Sequence, residues 1–85
     1  MKPSRLLLRL SDGAVTNVDF SDAQLLLEAL GFKEVRVTGS HHVYARPDIP
    51  EQFNLQNRRS QAKPYQLRQL ISLVKRYNLT IEENK

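Results

Sequence analysis

Two short alternating runs meet at Gly39-Ser40, and a helical stripe stands on either side of them. In Lys33–Thr38, Val35 and Val37 point one way while Glu34, Arg36 and Thr38 point the other. His41–Arg46 alternates again after the turn. Successive side chains of a strand leave on opposite faces, so the pair reads as a β-hairpin. Upstream, Ala23, Leu26, Leu27 and Leu30 follow the i, i+3, i+4, i+7 spacing of a buried helix face. Downstream, Leu67, Leu70, Ile71 and Val74 repeat it. Each helix has one apolar stripe, so both should cover the same face of the sheet and leave the other open. The expected fold is α+β, a two-layer sandwich ordered helix, three antiparallel strands, helix.

Local signals set the boundaries. Ser21 with Gln24 fits a capping box, and Phe20 with Leu25 fits a hydrophobic staple at the start of the first main helix. Gly31 is its expected left-handed stop. Pro47-Asp48-Ile49-Pro50 breaks the hairpin, and Glu51–Asn57 reads as a third strand with Phe53 and Leu55 facing one way. Arg58–Lys63 reads as a polar, basic loop. Pro64 suits the first position of a helix, and Asn78 ends it. At the N-terminus, Ser4–Leu10 fits one or two helical turns ended by Ser11-Asp12-Gly13, while residues 14–19 carry no assignable pattern. The chain thus divides into an extension at 1–19, a domain at 20–79, and an acidic tail at 80–85 with a turn expected from Thr80 to Glu83.

The 85 residues make one small domain and contain no cysteine, which excludes disulfides and thiolate metal sites. Leu6–Leu8 is cut short by Arg9 and Ser11-Asp12-Gly13, too short a run for a signal peptide or a membrane span. A cytoplasmic protein with no membrane partner is expected. The net charge of +4 is uneven: residues 33–76 carry +6, and the two flanks carry −1 each. A patch of that sign attracts anionic polymers, RNA first among them.

His41 and His42 are the chain's two histidines, and they stand inside this basic stretch. Imidazole exchanges protons near neutral pH. Adjacent strand residues point apart, so one of the two is the candidate for proton transfer, not both. Strict alternation groups His42 with Tyr44 and Arg46 on the open side, and His41 with Val43 and Ala45 at the rim of the core face. A bulge after the turn would reverse this, so phase alone leaves the choice open. Two adjacent histidines without a third ligand make a poor metal site, and neither metal nor small-molecule cofactor is expected. Arg58, Arg59 and Lys63 lead into a helix N-terminus, where free backbone N–H groups and three cations could seat a phosphate. The plainer alternative is a solvated loop, with Tyr44 and Tyr65 as edge packing.

Taken together, Gly31-Phe32, Arg36, Gly39-Ser40-His41-His42-Val43-Tyr44, Asp48-Ile49-Pro50, Asn54-Leu55-Gln56 and Ala62-Lys63-Pro64-Tyr65-Gln66-Leu67-Arg68 resemble, in this order, the HicA toxin family of toxin–antitoxin systems. The resemblance spans roughly residues 20–80. It implies a fold similar to the double-stranded-RNA-binding domain and a ribosome-independent mRNA endoribonuclease activity. The family's catalytic histidine follows Gly-Ser, which maps onto His41. A HicB-like antitoxin would bind the toxin and mask that residue. Family members often carry glycine in the loop before the last helix, where this chain has Arg58-Arg59-Ser60-Gln61-Ala62.

On this reading His41 acts as general base on a ribose 2′-OH without a metal. Lys63 and the backbone donors of the last helix balance phosphoryl charge, and Tyr65 positions RNA or relays a proton; His42 is a further supporting candidate. Arg36, Ser40, Tyr44, Arg46, Arg58, Arg59 and Arg68 join Lys63 in holding RNA. Two other readings use the same residues: a non-catalytic RNA-binding module, and a domain whose charge matches an acidic protein.

Overall fold

The computed structural model describes residues 1–81. The elements in chain order are α1 (Pro3–Ser11), α2 (Phe20–Ala29), β1 (Lys33–Thr38), β2 (His41–Ala45), β3 (Phe53–Arg58), β4 (Gln61–Ala62) and α3 (Pro64–Tyr77). The strands form one antiparallel sheet in the order β1-β2-β3-β4. The fold is α+β, with the helix–strands–helix order expected from the sequence.

The helical stripes bury as their spacing requires. Ala23, Leu26 and Leu27 of α2, its C-cap Leu30, and Leu67 and Leu70 of α3 are fully buried against Tyr44, Phe53 and Leu55. Gly31 takes φ 94°, a conformation glycine adopts without a Cβ penalty. Asn78 closes α3 in the left-handed region, and its N–H donates to the Val74 carbonyl. Lys75 and Arg76 in the last turn of α3 complement the helix dipole. Leu6 and Leu10 of α1, with Val15 and Val18 of the connector, enter the same core, so the first 19 residues pack with the rest.

Several expectations are corrected. The capping box is not formed: Asp19 is the N-cap of α2, without a side-chain capping bond, and Ser21 lies inside the helix. Gln24 instead donates through Nε2 to the Tyr44 hydroxyl at 2.9 Å. There is no staple either, because Leu25 is exposed and Phe20 packs on the His42 ring, with centroids 4.7 Å apart.

The basic loop contains a fourth strand. A two-residue turn at Arg59-Ser60, both with positive φ (52° and 68°), returns the chain so that Asn57 pairs with Ala62 and Arg58 with Gln61. This resembles a type I′ turn built without the usual Asn-Gly. The Asn57 side-chain oxygen accepts from the Ser60 N–H at 2.9 Å. The Ser60 carbonyl accepts from the Phe20 N–H at 2.8 Å, and the Val18 carbonyl accepts from the Ala62 N–H at 2.9 Å. The unassigned connector therefore lines the β4 edge.

The opposite edge, β1, is open. All six of its residues are exposed, including Val35 and Val37, and a bulge interrupts it between Glu34 and Arg36. Charged side chains and a bulge blunt such an edge against further pairing. The turn expected from Thr80 to Glu83 extends beyond the described residues.

Candidate active site

The register fixes which face each histidine occupies. His42 pairs with Leu55 and Tyr44 with Phe53, so these four share the helix-covered face. His41 pairs with Thr38 on β1 and Gln56 on β3, and Val43 with Arg36 and Asn54. His41, Arg36, Thr38, Asn54 and Gln56 thus share the open face. This reverses the assignment that strict alternation gave: His42, Tyr44 and Arg46 lie toward the helices, and His41 toward solvent.

His41 is exposed, and its Nδ1 stands 3.2 Å from Asn54 Oδ1. His42 is partly covered. Its Nδ1 lies 2.8 Å from Glu34 Oε2, and its ring rests on Phe20. The two imidazoles cannot serve one substrate atom.

Two residues expected at the RNA face are built into the fold instead. Tyr44 is fully buried, and burial pushes its phenol above the usual pKa. The Arg46 guanidinium grips both Asp48 carboxylate oxygens at 3.0 Å and donates to the Leu30 carbonyl at 2.6 Å. It also packs over Gly31, where an added Cβ would stand 3.3 Å from it. The hydrogen bond from Arg46 holds the Asp48 carboxyl below its usual pKa. Arg46 thereby pins the end of α2 to the end of β2.

Three of the remaining cations gather at the start of α3. Arg58, Arg59, Gln61 and Ala62 of the β3–β4 hairpin and Lys63, Pro64 and Tyr65 of the α3 start line a groove of about 500 Å³. Tyr65 is about half exposed, and Lys63 Nζ stands 5.8 Å from its ring centroid, a cation–π arrangement. The β3–β4 pairing ends at Asn57–Ala62: Gln56, which faces His41, gives its backbone N–H to Gln66 Oε1 at 2.8 Å, and Lys63 is the N-cap of α3. Arg68 is exposed one turn beyond Tyr65. Ser40 is exposed in its turn, and its carbonyl accepts from the Asn57 N–H at 2.8 Å.

The helix start offers fewer donors than expected. Pro64 has no N–H, and the N–H groups of Gln66 and Leu67 already donate to the Lys63 carbonyl. That leaves the Tyr65 N–H, so the site relies on side-chain cations more than on the helix terminus. The sequence placed Asn54 within the family resemblance but not among the site residues. Its signal was available in the alternation of β3, where it stands between two core residues, Phe53 and Leu55, and so must face the other way.

Among the described residues, no cluster of three or more His, Cys, Asp or Glu could hold a metal ion. Nor is any helix there long and apolar enough to cross a membrane. No curated protein and no solved structure matches the chain. A family model does match, over residues 20–75, and is described as the HicA toxin of bacterial toxin–antitoxin systems. The match covers more than half of the chain and runs from the first residue of α2 nearly to the end of α3. The chain therefore belongs to the HicA toxin family: it is the toxin of a toxin–antitoxin system, and an antitoxin is its partner.

Proposed function

We propose that this toxin is a metal-independent endoribonuclease that cleaves mRNA in the cytoplasm, with His41 as general base. The observation that carries the reading is the exposed His41 imidazole, on the uncovered face of the sheet, one strand over from the β3–β4 hairpin that lines a cationic groove. His41 removes the proton of a ribose 2′-OH. The O2′ then attacks the neighbouring phosphorus as the bond to O5′ breaks. A well-placed general base contributes about 10²–10⁴-fold.

Lys63, Arg58 and Arg59 hold the RNA backbone and offset charge that grows on the phosphoryl oxygens, with the Tyr65 N–H adding one donor. The Tyr65 ring gives a base a surface to stack on, a contact that tolerates any sequence. Arg36 shares the open face with His41, Ser40 precedes His41 in the β1–β2 turn, and Arg68 extends the cationic surface along α3. A HicB-like antitoxin that covered this face would mask His41 and the groove together. His42 stabilises the fold in this reading and stays out of the chemistry.

Incubation with RNA and EDTA, comparing the parent protein with His41→Ala and His42→Ala, tests the reading. The expected result is cutting by the parent and by His42→Ala and none by His41→Ala. A substrate with 2′-deoxyribose at the cleaved position should bind and survive, since it lacks the nucleophile. His41→Ala cutting at the parental rate would sink the assignment. A parent protein that shifts RNA in a gel without shortening it would favour a non-catalytic binding module.

A further inference from the structure

We infer that Asn54 is a positioning residue that fixes the tautomer of His41, so that Nδ1 carries the proton and Nε2 presents the lone pair to substrate. The inference rests on the nuclease reading for its purpose, but the atomic arrangement stands independently of it. Asn54 Oδ1 is 3.2 Å from His41 Nδ1, within the range for an N–H donating to a carbonyl oxygen. An amide oxygen can only accept, so with Asn54 Oδ1 turned toward the ring, Nδ1 is the donor. In neutral imidazole, a proton on Nδ1 leaves Nε2 as the acceptor, and the partner of one nitrogen decides the state of the other.

The sheet register makes the contact possible. His41 faces Gln56, and Asn54 lies two residues along β3 from it, the diagonal neighbour on the same face. No helix covers this face, so Nε2 at the outer end of the ring is open to a docked ribose. The other groups facing the ring are Thr38 and Arg36 from β1 and Gln56 and Arg58 from β3. None of them is a carboxylate, and none hydrogen-bonds the ring. Asn54 is thus the one group among the described residues that selects between the two nitrogens.

The test is the ¹⁵N spectrum of the His41 side chain in the full chain, read alongside RNA cleavage. In the parent, the neutral ring should carry its proton on Nδ1. Asn54→Leu removes the acceptor at an exposed site. It should redistribute the proton between the nitrogens and slow cleavage by about tenfold, the worth of one hydrogen bond. Asn54→Asp keeps an acceptor and adds a negative charge. It should retain the Nδ1–H tautomer and move the acid limb of the pH–rate profile to higher pH. A parental spectrum with Nδ1 unprotonated, or one that Asn54→Leu leaves unchanged, overturns the inference. If the tautomer behaves as described while the parent cuts no RNA, the nuclease reading fails and the positioning role stands.

Discussion

The two faces of the sheet carry neighbouring residues of the same three strands, yet they obey different rules. On the covered face, His42, Tyr44, Phe53 and Leu55 meet the helices, and polar atoms find protein partners: Gln24 for Tyr44, Glu34 for His42. On the open face, His41, Asn54, Arg36 and Thr38 remain exposed, and only His41 and Asn54 bond one another. Adjacent histidines are therefore different chemical objects. One is a packing element held by an aromatic ring and a carboxylate, and the other is a solvent-facing imidazole with one nitrogen free. In the proposed nuclease, the uncovered face is what leaves His41 within reach of RNA.

The sharpest way to break this contrast is to truncate neighbouring residues of β3. Leu55→Ala opens a cavity beneath the helices and should lower the unfolding free energy by about 2–5 kcal/mol in urea titrations. Gln56→Ala, one residue along on the open side, should change it by less than about 1.5 kcal/mol; the Gln66 bond to its backbone N–H survives the substitution. Equal losses at both positions would show that the open face is not structurally idle.

The arginines sharpen the comparison further. Arg46→Ala leaves the Leu30 carbonyl without its charged donor and should destabilise the fold by about 2 kcal/mol, with the salt dependence of RNA binding unchanged. Arg58→Ala should do the reverse, keeping stability while reducing the slope of log affinity against log salt by about 0.7. A drop in salt slope for Arg46→Ala would place its guanidinium on RNA after all.

A smaller effect is expected at the hairpin between the groove and α2. Ser60 holds φ 68° without being glycine. A left-handed conformation costs a residue with a Cβ about 1–2 kcal/mol, so Ser60→Gly should raise the unfolding free energy by about 1 kcal/mol, read as a higher urea midpoint. Its carbonyl bond to Phe20 would be kept, and RNA cleavage should stay near the parental rate. An unchanged or lower midpoint would show that the serine side chain contributes to the turn.

The smallest effect is in the pH dependence of stability. The Tyr77 hydroxyl, and then Arg76 at 2.7 Å, hold the Glu51 carboxyl below its ordinary value of 4.5 and tie the β2–β3 loop to the end of α3. The same bond raises the Tyr77 phenol. A carboxyl depressed in the folded state stabilises it above the unfolded value and loses that contribution as pH falls through the folded one. Glu51→Gln should therefore flatten the loss of stability below pH 4.5 and leave histidine-dependent cleavage near neutral pH untouched. An acid limb identical to the parent's would assign the acid sensitivity to other carboxylates.

The sequence by itself determined the order of the helices and the first three strands, the stops at Gly31 and Asn78, the hairpin at Gly39-Ser40, and the stripes of α2 and α3, because each follows from local dihedral preference or from one-dimensional spacing. It could state that His41 and His42 point apart. It could not state which way, since alternation carries relative phase and the absolute face is set when helices dock on the strands. Only the tertiary structure decided that His41 looks outward, that Tyr44 and Arg46 are spent on packing and loop anchoring, and that Val35 and Val37 lie on an uncovered, bulged edge. The same holds for β4, whose Arg-Ser turn lacks the glycine that would have announced it and depends on Asn57, Val18 and Phe20 for its hydrogen bonds. Contacts between residues distant in sequence are many-body outcomes of packing, and no single stretch of the chain contains them.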